Sequence, residues 1–139
     1  MLRWLKNLWF GRKGDGFAET AIIIPVVMLV TIGLVNLSIA GFASNNANNA
    51  ANYGARAGSV AQQNPAGAAY GAAIRSLSNA NVGEYEVGVS GGGFPGAQIN
   101  VNIGWSVPNY IAGLMSFVGG GGDIDFAGSA SATFRQEGW

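Results

Sequence analysis

The chain has 139 residues, seven basic and seven acidic side chains for a formal charge of zero, 23 glycines, and neither cysteine nor histidine. The length leaves room for one domain, and charged residues at 10% of the chain imply a small core in a thin, turn-rich soluble part. The missing thiol and imidazole exclude disulfides, thiolate metal sites, cysteine nucleophiles and the commonest catalytic base, so most enzyme mechanisms lack their parts.

The zero charge conceals a split along the chain. Arg3, Lys6, Arg12 and Lys13 precede every acid, whereas Arg56, Arg75 and Arg135 are the only bases after Asp15. Nucleic acid would want bases clustered on a folded face, and none are, so no nucleic-acid partner is expected. A basic head leading a mildly acidic body fits membrane topology instead. From Thr20 to Ala55 no residue is charged, and the run from Thr20 to Ala43 is long enough for a transmembrane helix, which needs about 20 residues. The positive-inside bias keeps the arm "RWLKNLWFGRK" cytoplasmic and exports the C-terminal part. Pro25 lies inside the apolar run and predicts a kink, since it removes one helix hydrogen bond. Thr31, Asn36 and Ser38 are able to bond across helices or to meet headgroups and water.

The segment "SNNANNAANYGARAGSVAQ" continues the helix as a stalk. Small residues at Ala43, Ala47, Ala50, Gly54, Ala57 and Ala61 recur every three or four positions, giving a smooth face that another backbone can approach closely. A continuous helix from Phe17 to Gln62 would reach roughly 70 Å. "QNPAG" then breaks it, with Asn64 as N-cap and Pro65 at the first position of a helix running to Ser78. Its expected buried stripe is Ala66, Tyr70, Ala73, Ile74 and Leu77. The period then changes to two. Tyr85, Val87 and Val89 alternate with Glu84, Glu86 and Gly88, and Ile99, Val101, Ile103, Trp105 and Val107 alternate with polar residues, predicting two one-face-buried strands joined by the open loop "GGGFPG". "NYIAGLMSFVGGGG" is a short helix or a lip of the core. "DIDFAGSASATFRQE" is a last strand with Ile124, Phe126, Ala130, Ala132 and Phe134 inward and Gly128 interrupting the pattern. The predicted fold class is α+β: a long N-terminal transmembrane and stalk helix, a second short helix, and an antiparallel sheet of about three strands that the helix must cover.

Chemistry is sparse. Gly91, Gly93 and Gly96 match G-x-G-x-x-G, but Pro95 and a strand follow where a dinucleotide site needs a helix. Asp123 and Asp125 share one side of a strand start, too few acids for a calcium cage. Ser129, Ser131 and Thr133 have no base partner. No catalytic residue, metal site, cofactor or small-molecule substrate is assigned.

In this order, "KGDGFAETAIIIPVVMLV", then "NNAANYGARAGSVA", paired strands, Pro108 and the closing "ASATFRQE" resemble the TadE-like minor pseudopilins of the bacterial Tad (tight adherence) pilus. The resemblance implies a pilin-like structural and assembly subunit, not an enzyme, in a type IV-like pilus system serving cell adhesion. It implies a single-pass inner-membrane protein with its N-terminus cytoplasmic and its head outside, reaching the pilus or cell surface. It also implies partners: the inner membrane, a prepilin peptidase, and other pilins or pseudopilins with the Tad assembly machinery. The peptidase would cut between Gly14 and Asp15, leaving Glu19 as the fifth residue of the mature chain, where it sets subunit register with the new α-amine. Gly16 is the other candidate and would leave the acid third. Asp15 departs from the small or apolar residue usual after the cut, and "ETA" replaces the common Glu-Phe pair. The implied organisation is a basic cytoplasmic leader over 1–14, a transmembrane helix over 15–43, a stalk over 44–62 and an external head over 63–139. Two alternatives stand beside it: an uncleaved signal anchor bearing an external binding domain, and secretion with a cut after Ala40 or Ala43, which makes a leader longer than the usual roughly 15–30 residues.

Overall fold

A computed structural model describes residues 15–116, 119 and 124–137. Residues 1–14, and with them Gly14 and the basic leader, lie outside the described residues, as does Asp123. The elements run α1 (Asp15–Val60), α2 (Pro65–Leu77), β1 (Glu84–Gly91), β2 (Gln98–Val107), α3 (Tyr110–Ser116) and β3 (Phe126–Arg135). This is the α+β arrangement expected, with α1 a single helix of 46 residues that continues through Pro25.

Packing explains why α1 holds its length. Its buried positions, Asn36, Ala40, Ala43, Ala47, Ala50, Ala51, Gly54, Ala55, Gly58 and Ser59, recur every three or four residues and form one stripe along the C-terminal half. Asn and Gly are poor helix formers, so tertiary contact along this stripe, not propensity, sustains the stalk. The helix ends at Val60, two residues short of the expected end at Gln62, and Ala61 therefore falls outside it. Exposed Asn48 and Asn52 donate their amides to the carbonyls four residues back, at 3.0 and 2.9 Å.

The three strands pair antiparallel in the order β1-β2-β3. Ile99, Val101, Ile103 and Val107 of central β2 are fully buried, with Ala130 and Ala132 of β3 beside them. All but Val107 pack on Ala47, Ala50, Ala51 and Ala55 of α1 and on Ala69, Ala73 and Leu77 of α2, while Val107 packs on Ala40 and Ala43 of α1. Branched residues on the sheet thus fill the space that alanines on the helices leave, the complementarity a dense core requires. Burying each Val or Ile contributes about 1.5–3 kcal/mol. The opposite sheet face is polar: Asn100 Nδ2 donates to Thr133 Oγ1 at 2.8 Å, and Ser129, Ser131 and Arg135 are exposed.

Three expected orientations are corrected. In α2 the buried residues are Pro65, Ala69, Ala72, Ala73 and Leu77, while Tyr70 and Ile74 are exposed and Ala66 is half-buried. The reason is that α2 approaches α1 at two glycines: a Cβ on Gly54 would lie 2.9 Å from Ala69 O, and one on Gly58 would lie 2.8 Å from Ala69 Cβ. Only small side chains fit that seam, and rotating them inward carries Tyr70 and Ile74 out. Ile124, expected inward on β3, precedes the strand and is 75% exposed. Phe126 at the strand's first position is also exposed. Gly128 does not interrupt the inward face. It pairs with Trp105, whose indole lies where a Cβ at Gly128 would stand.

Asn64 caps α2 from a left-handed conformation (φ 50°), its Oδ1 accepting from Gly67 N at 3.0 Å, with Pro65 following at the helix start. Asparagine tolerates this region better than other residues with a Cβ. The β1–β2 loop is glycine-rich for the same reason: Gly91, Gly92, Gly93 and Gly96 all have positive φ. It is a turn between paired strands, with no helix for a phosphate to meet.

Candidate functional site

Composition supplies little for chemistry, so the functional features are surfaces and junctions along α1. Over Gly16–Thr31 every residue is exposed, including Phe17 at 81% and Ile22 at 70%. An apolar surface this extensive is unlike that of a soluble monomer and marks a partner or a lipid environment. α1 is the one helix among the described residues long and apolar enough to cross a membrane. Its hydroxyls are already satisfied within the helix: Thr20 Oγ1 donates to Gly16 O at 2.7 Å, Thr31 Oγ1 to Val27 O at 2.8 Å, and Ser38 Oγ to Leu34 O at 2.8 Å. Backbone carbonyls four residues back are the partners that let such residues sit in lipid. Glu19 stands in the second turn of α1, exposed, at the N-terminal end of this run. Pro25 lies within it and leaves the Ala21 carbonyl without its usual donor.

Above the free run, α1 meets the head at a polar junction that the sequence reading did not pair. Asn36 is fully buried, and its Nδ2 donates to Asn109 Oδ1 at 3.0 Å. That oxygen also accepts from Ile111 N at 3.1 Å and Ala112 N at 3.2 Å, so Asn109 caps α3 while α1 holds its side chain. Rotating the Asn36 amide would bring its nitrogen 3.2 Å from Pro108 O, but it would set two carbonyl oxygens 3.0 Å apart. The orientation that donates to Asn109 suits an Oδ1 already committed as an acceptor, although it leaves the Asn36 oxygen 3.2 Å from Pro108 O. The side chain of Ile111 lies against Gly33, 3.6 Å from where a Cβ would be.

The small-residue stripe has an occupant within the chain. Ala43, Ala47, Ala50 and Gly54 are buried beneath the sheet and α2, and Ala57 is half-buried. Tyr85 ties this face to β1, its hydroxyl donating to Val82 O at 2.6 Å and accepting from Asn46 Nδ2 at 3.4 Å. At the far end, the C-terminal segment closes α1. Glu137 N donates to Ser59 O at 2.8 Å, and the buried Gln136 donates from Nε2 to Ala61 O at 3.4 Å while its Oε1 accepts from Gly93 N at 3.1 Å. Gln136 had no signal in the sequence, since a lone glutamine after a strand reads as solvent-exposed.

A concavity on the sheet, lined by Glu84, Tyr85, Glu86, Trp105, Ser106 and Gly128, sets two acids beside hydroxyls but has no basic side chain in its lining. Among the described residues there is no group of three side chains able to hold a metal ion.

A family model described as TadE-like protein matches residues 14–56. Over this segment, less than half of the chain, the sequence is similar to that family. The match begins at Gly14, covers the exposed apolar run and most of α1, and leaves the head outside it. The matched segment contains the helix that is long and apolar enough to cross a membrane. No curated protein and no solved structure matches the chain.

Proposed function

We propose that the chain is a minor pseudopilin: a structural subunit anchored N-in in the bacterial inner membrane by α1, matured by a prepilin peptidase, and assembled with other pilins into or onto a Tad-type pilus. One observation carries this reading. A TadE-like match starts at Gly14 and runs along a single apolar helix whose stretch Gly16–Thr31 no other described residue covers. An uncovered apolar helix needs lipid before assembly and neighbouring helices after it, which is the life of a pilin-type subunit.

Glu19 has a physical part in this proposal. A carboxylate at a membrane helix centre costs about 2.5–3.5 kcal/mol on insertion scales, so an acid at the mouth of the span wants a cation. Cleavage after Gly14 creates one, the α-amine of Asp15, one helical turn away. An α-ammonium at a helix N-terminus opposes the helix dipole, and an acid in the adjacent turn offsets it. The same amine is able to pair with Glu19 of a neighbouring subunit and so fix axial register.

Mass spectrometry of the mature N-terminus tests the proposal: a chain beginning at Asp15 supports it. The acid at Asp15 itself favours a second reading, an uncleaved anchor carrying an external binding domain, for which the chain would begin at Met1. A chain beginning at Gly41 or Ser44 would mean secretion and would overturn both.

A further inference from the structure

We propose that α3 is a membrane foot, seated against α1 within the outer edge of the bilayer on the head's side and contacting lipid through Tyr110 and Gly113. The inference rests on the reading of α1 as a membrane span, and it follows from a length mismatch in α1. The run that the head leaves free, Gly16–Thr31, spans only about 24 Å at 1.5 Å per residue, short of the roughly 30 Å hydrocarbon core. A span of about 20 residues that starts just after Glu19 ends near Ile39. Gly33 and Asn36, where α3 touches α1, then lie about 9 and 4.5 Å beneath the outer boundary. Tilting the helix lengthens the chain needed to cross and moves that contact deeper. The head thus cannot stand clear of the bilayer while α3 stays docked.

The composition of the head's lower end agrees with that depth. α3, "YIAGLMS", is uncharged, and Tyr110 is 56% exposed, an amphipathic ring of the kind enriched at membrane interfaces. Part of the polar surface that docking brings down is satisfied internally. Asn36 and Asn109 bond each other, and Asn109 Oδ1 takes the first amides of α3. Among the described residues of the head, charge resumes higher up. Glu84 and Asp125 border one surface depression with Gly83, and a Cβ on Gly83 would lie 3.5 Å from Ala43. Ala43 is four residues beyond Ile39, about 6 Å outside the boundary, at headgroup level.

The chain has no cysteine, so single-cysteine variants carry a spin label at one known place. The full chain is reconstituted in phosphatidylethanolamine–phosphatidylglycerol vesicles with labels at Tyr110→Cys, Gly113→Cys, Val27→Cys and Phe94→Cys. Tyr110, Gly113 and Phe94 are exposed in the fold, and a Cβ at Gly113 meets nothing within 4 Å, so these labels neither disturb packing nor gain protection from protein. The expected result is several-fold lower accessibility to a water-soluble nickel chelate, and higher accessibility to oxygen, at Tyr110 and Gly113 than at Phe94, with Val27 the most protected. Labels at Tyr110 and Gly113 as open to nickel as Phe94, with Val27 still protected, would overturn the foot and leave the span intact. An open Val27 would overturn the span, and the foot with it.

Discussion

Glycine has opposite meanings at two places on α1, and the difference is measurable. At Gly41 a Cβ would meet nothing within 4 Å, so Gly41→Ala brings only the helix-propensity gain of about 1 kcal/mol. At Gly54 the same methyl would press on Ala69 O at 2.9 Å and Ala73 Cβ at 3.0 Å. Overpacking of that kind costs about 1–3 kcal/mol and outweighs the propensity gain, so Gly54→Ala lowers stability or pushes α2 away. Urea unfolding of the full chain in detergent micelles should therefore move its midpoint up for Gly41→Ala and down for Gly54→Ala. Equal shifts would mean that the α1–α2 seam is looser than described. Asn36 offers a second contrast. Asn36→Ala removes one donor to the half-buried Asn109, whose Oδ1 keeps two backbone amides, costing about 0.5–1.5 kcal/mol. Asn109→Ala also strips the cap from α3 and should cost more. A double-mutant cycle on these two should be strongly non-additive, since both single changes break one network.

At the scale of elements, what the sequence disclosed depended on whether a signal was local. The two-residue alternation in β1 and β2 is local, and so is the Asn64–Pro65 start of α2; each lies where the pattern put it. The face that α2 buries is not local. Ala66, Tyr70 and Ile74 make a fair apolar stripe by themselves, but the seam formed by Gly54 and Gly58 selects alanines, and α1 contributes those glycines from a distant part of the chain. The junction of Asn36 with Asn109 and the clasp by Gln136 were illegible for the same reason, since each joins residues more than 70 positions apart. The clasp has a testable cost. The last carbonyls of a helix need donors, and at α1 Glu137 N and Gln136 Nε2 supply two at and just beyond its end. Gln136→Ala leaves Ala61 O and Gly93 N without these bonds, so amide exchange should quicken at the end of α1 and in the β1–β2 loop while the middle of β2 stays protected. Uniform acceleration across the head would show that the clasp holds the whole fold instead of its end.

For the molecule as a whole, the question is which surface of α1 remains for other subunits. The stripe from Ala43 to Gly54 looks in sequence like a face for neighbouring helices, yet the chain's own sheet and α2 cover it. What remains is the free apolar run, with Leu34, Val35, Leu37 and Phe42 exposed beyond it, and Glu19 at its mouth. Under the pseudopilin proposal, subunit contact therefore belongs to the N-terminal half, and Glu19 is the polar group there best placed to set register. Glu19→Gln keeps shape and hydrogen-bonding capacity while removing the charge, so it isolates the ionic part of that role. On the proposed cut at Gly14, and with α1 still presenting the same apolar span, membrane insertion and a mature N-terminus at Asp15 are expected to survive the change. Recovery of the subunit in sheared pilus fractions is expected to fall while the membrane-bound pool rises. If recovery and membrane pool both match the unaltered chain, the pairing of Glu19 with a neighbour's amine is wrong, and the acid serves only as a hydrated end to the span. If instead the N-terminus stays unprocessed, the loss lies with the peptidase, and a chain expressed without residues 1–14 but carrying Glu19→Gln separates the two steps.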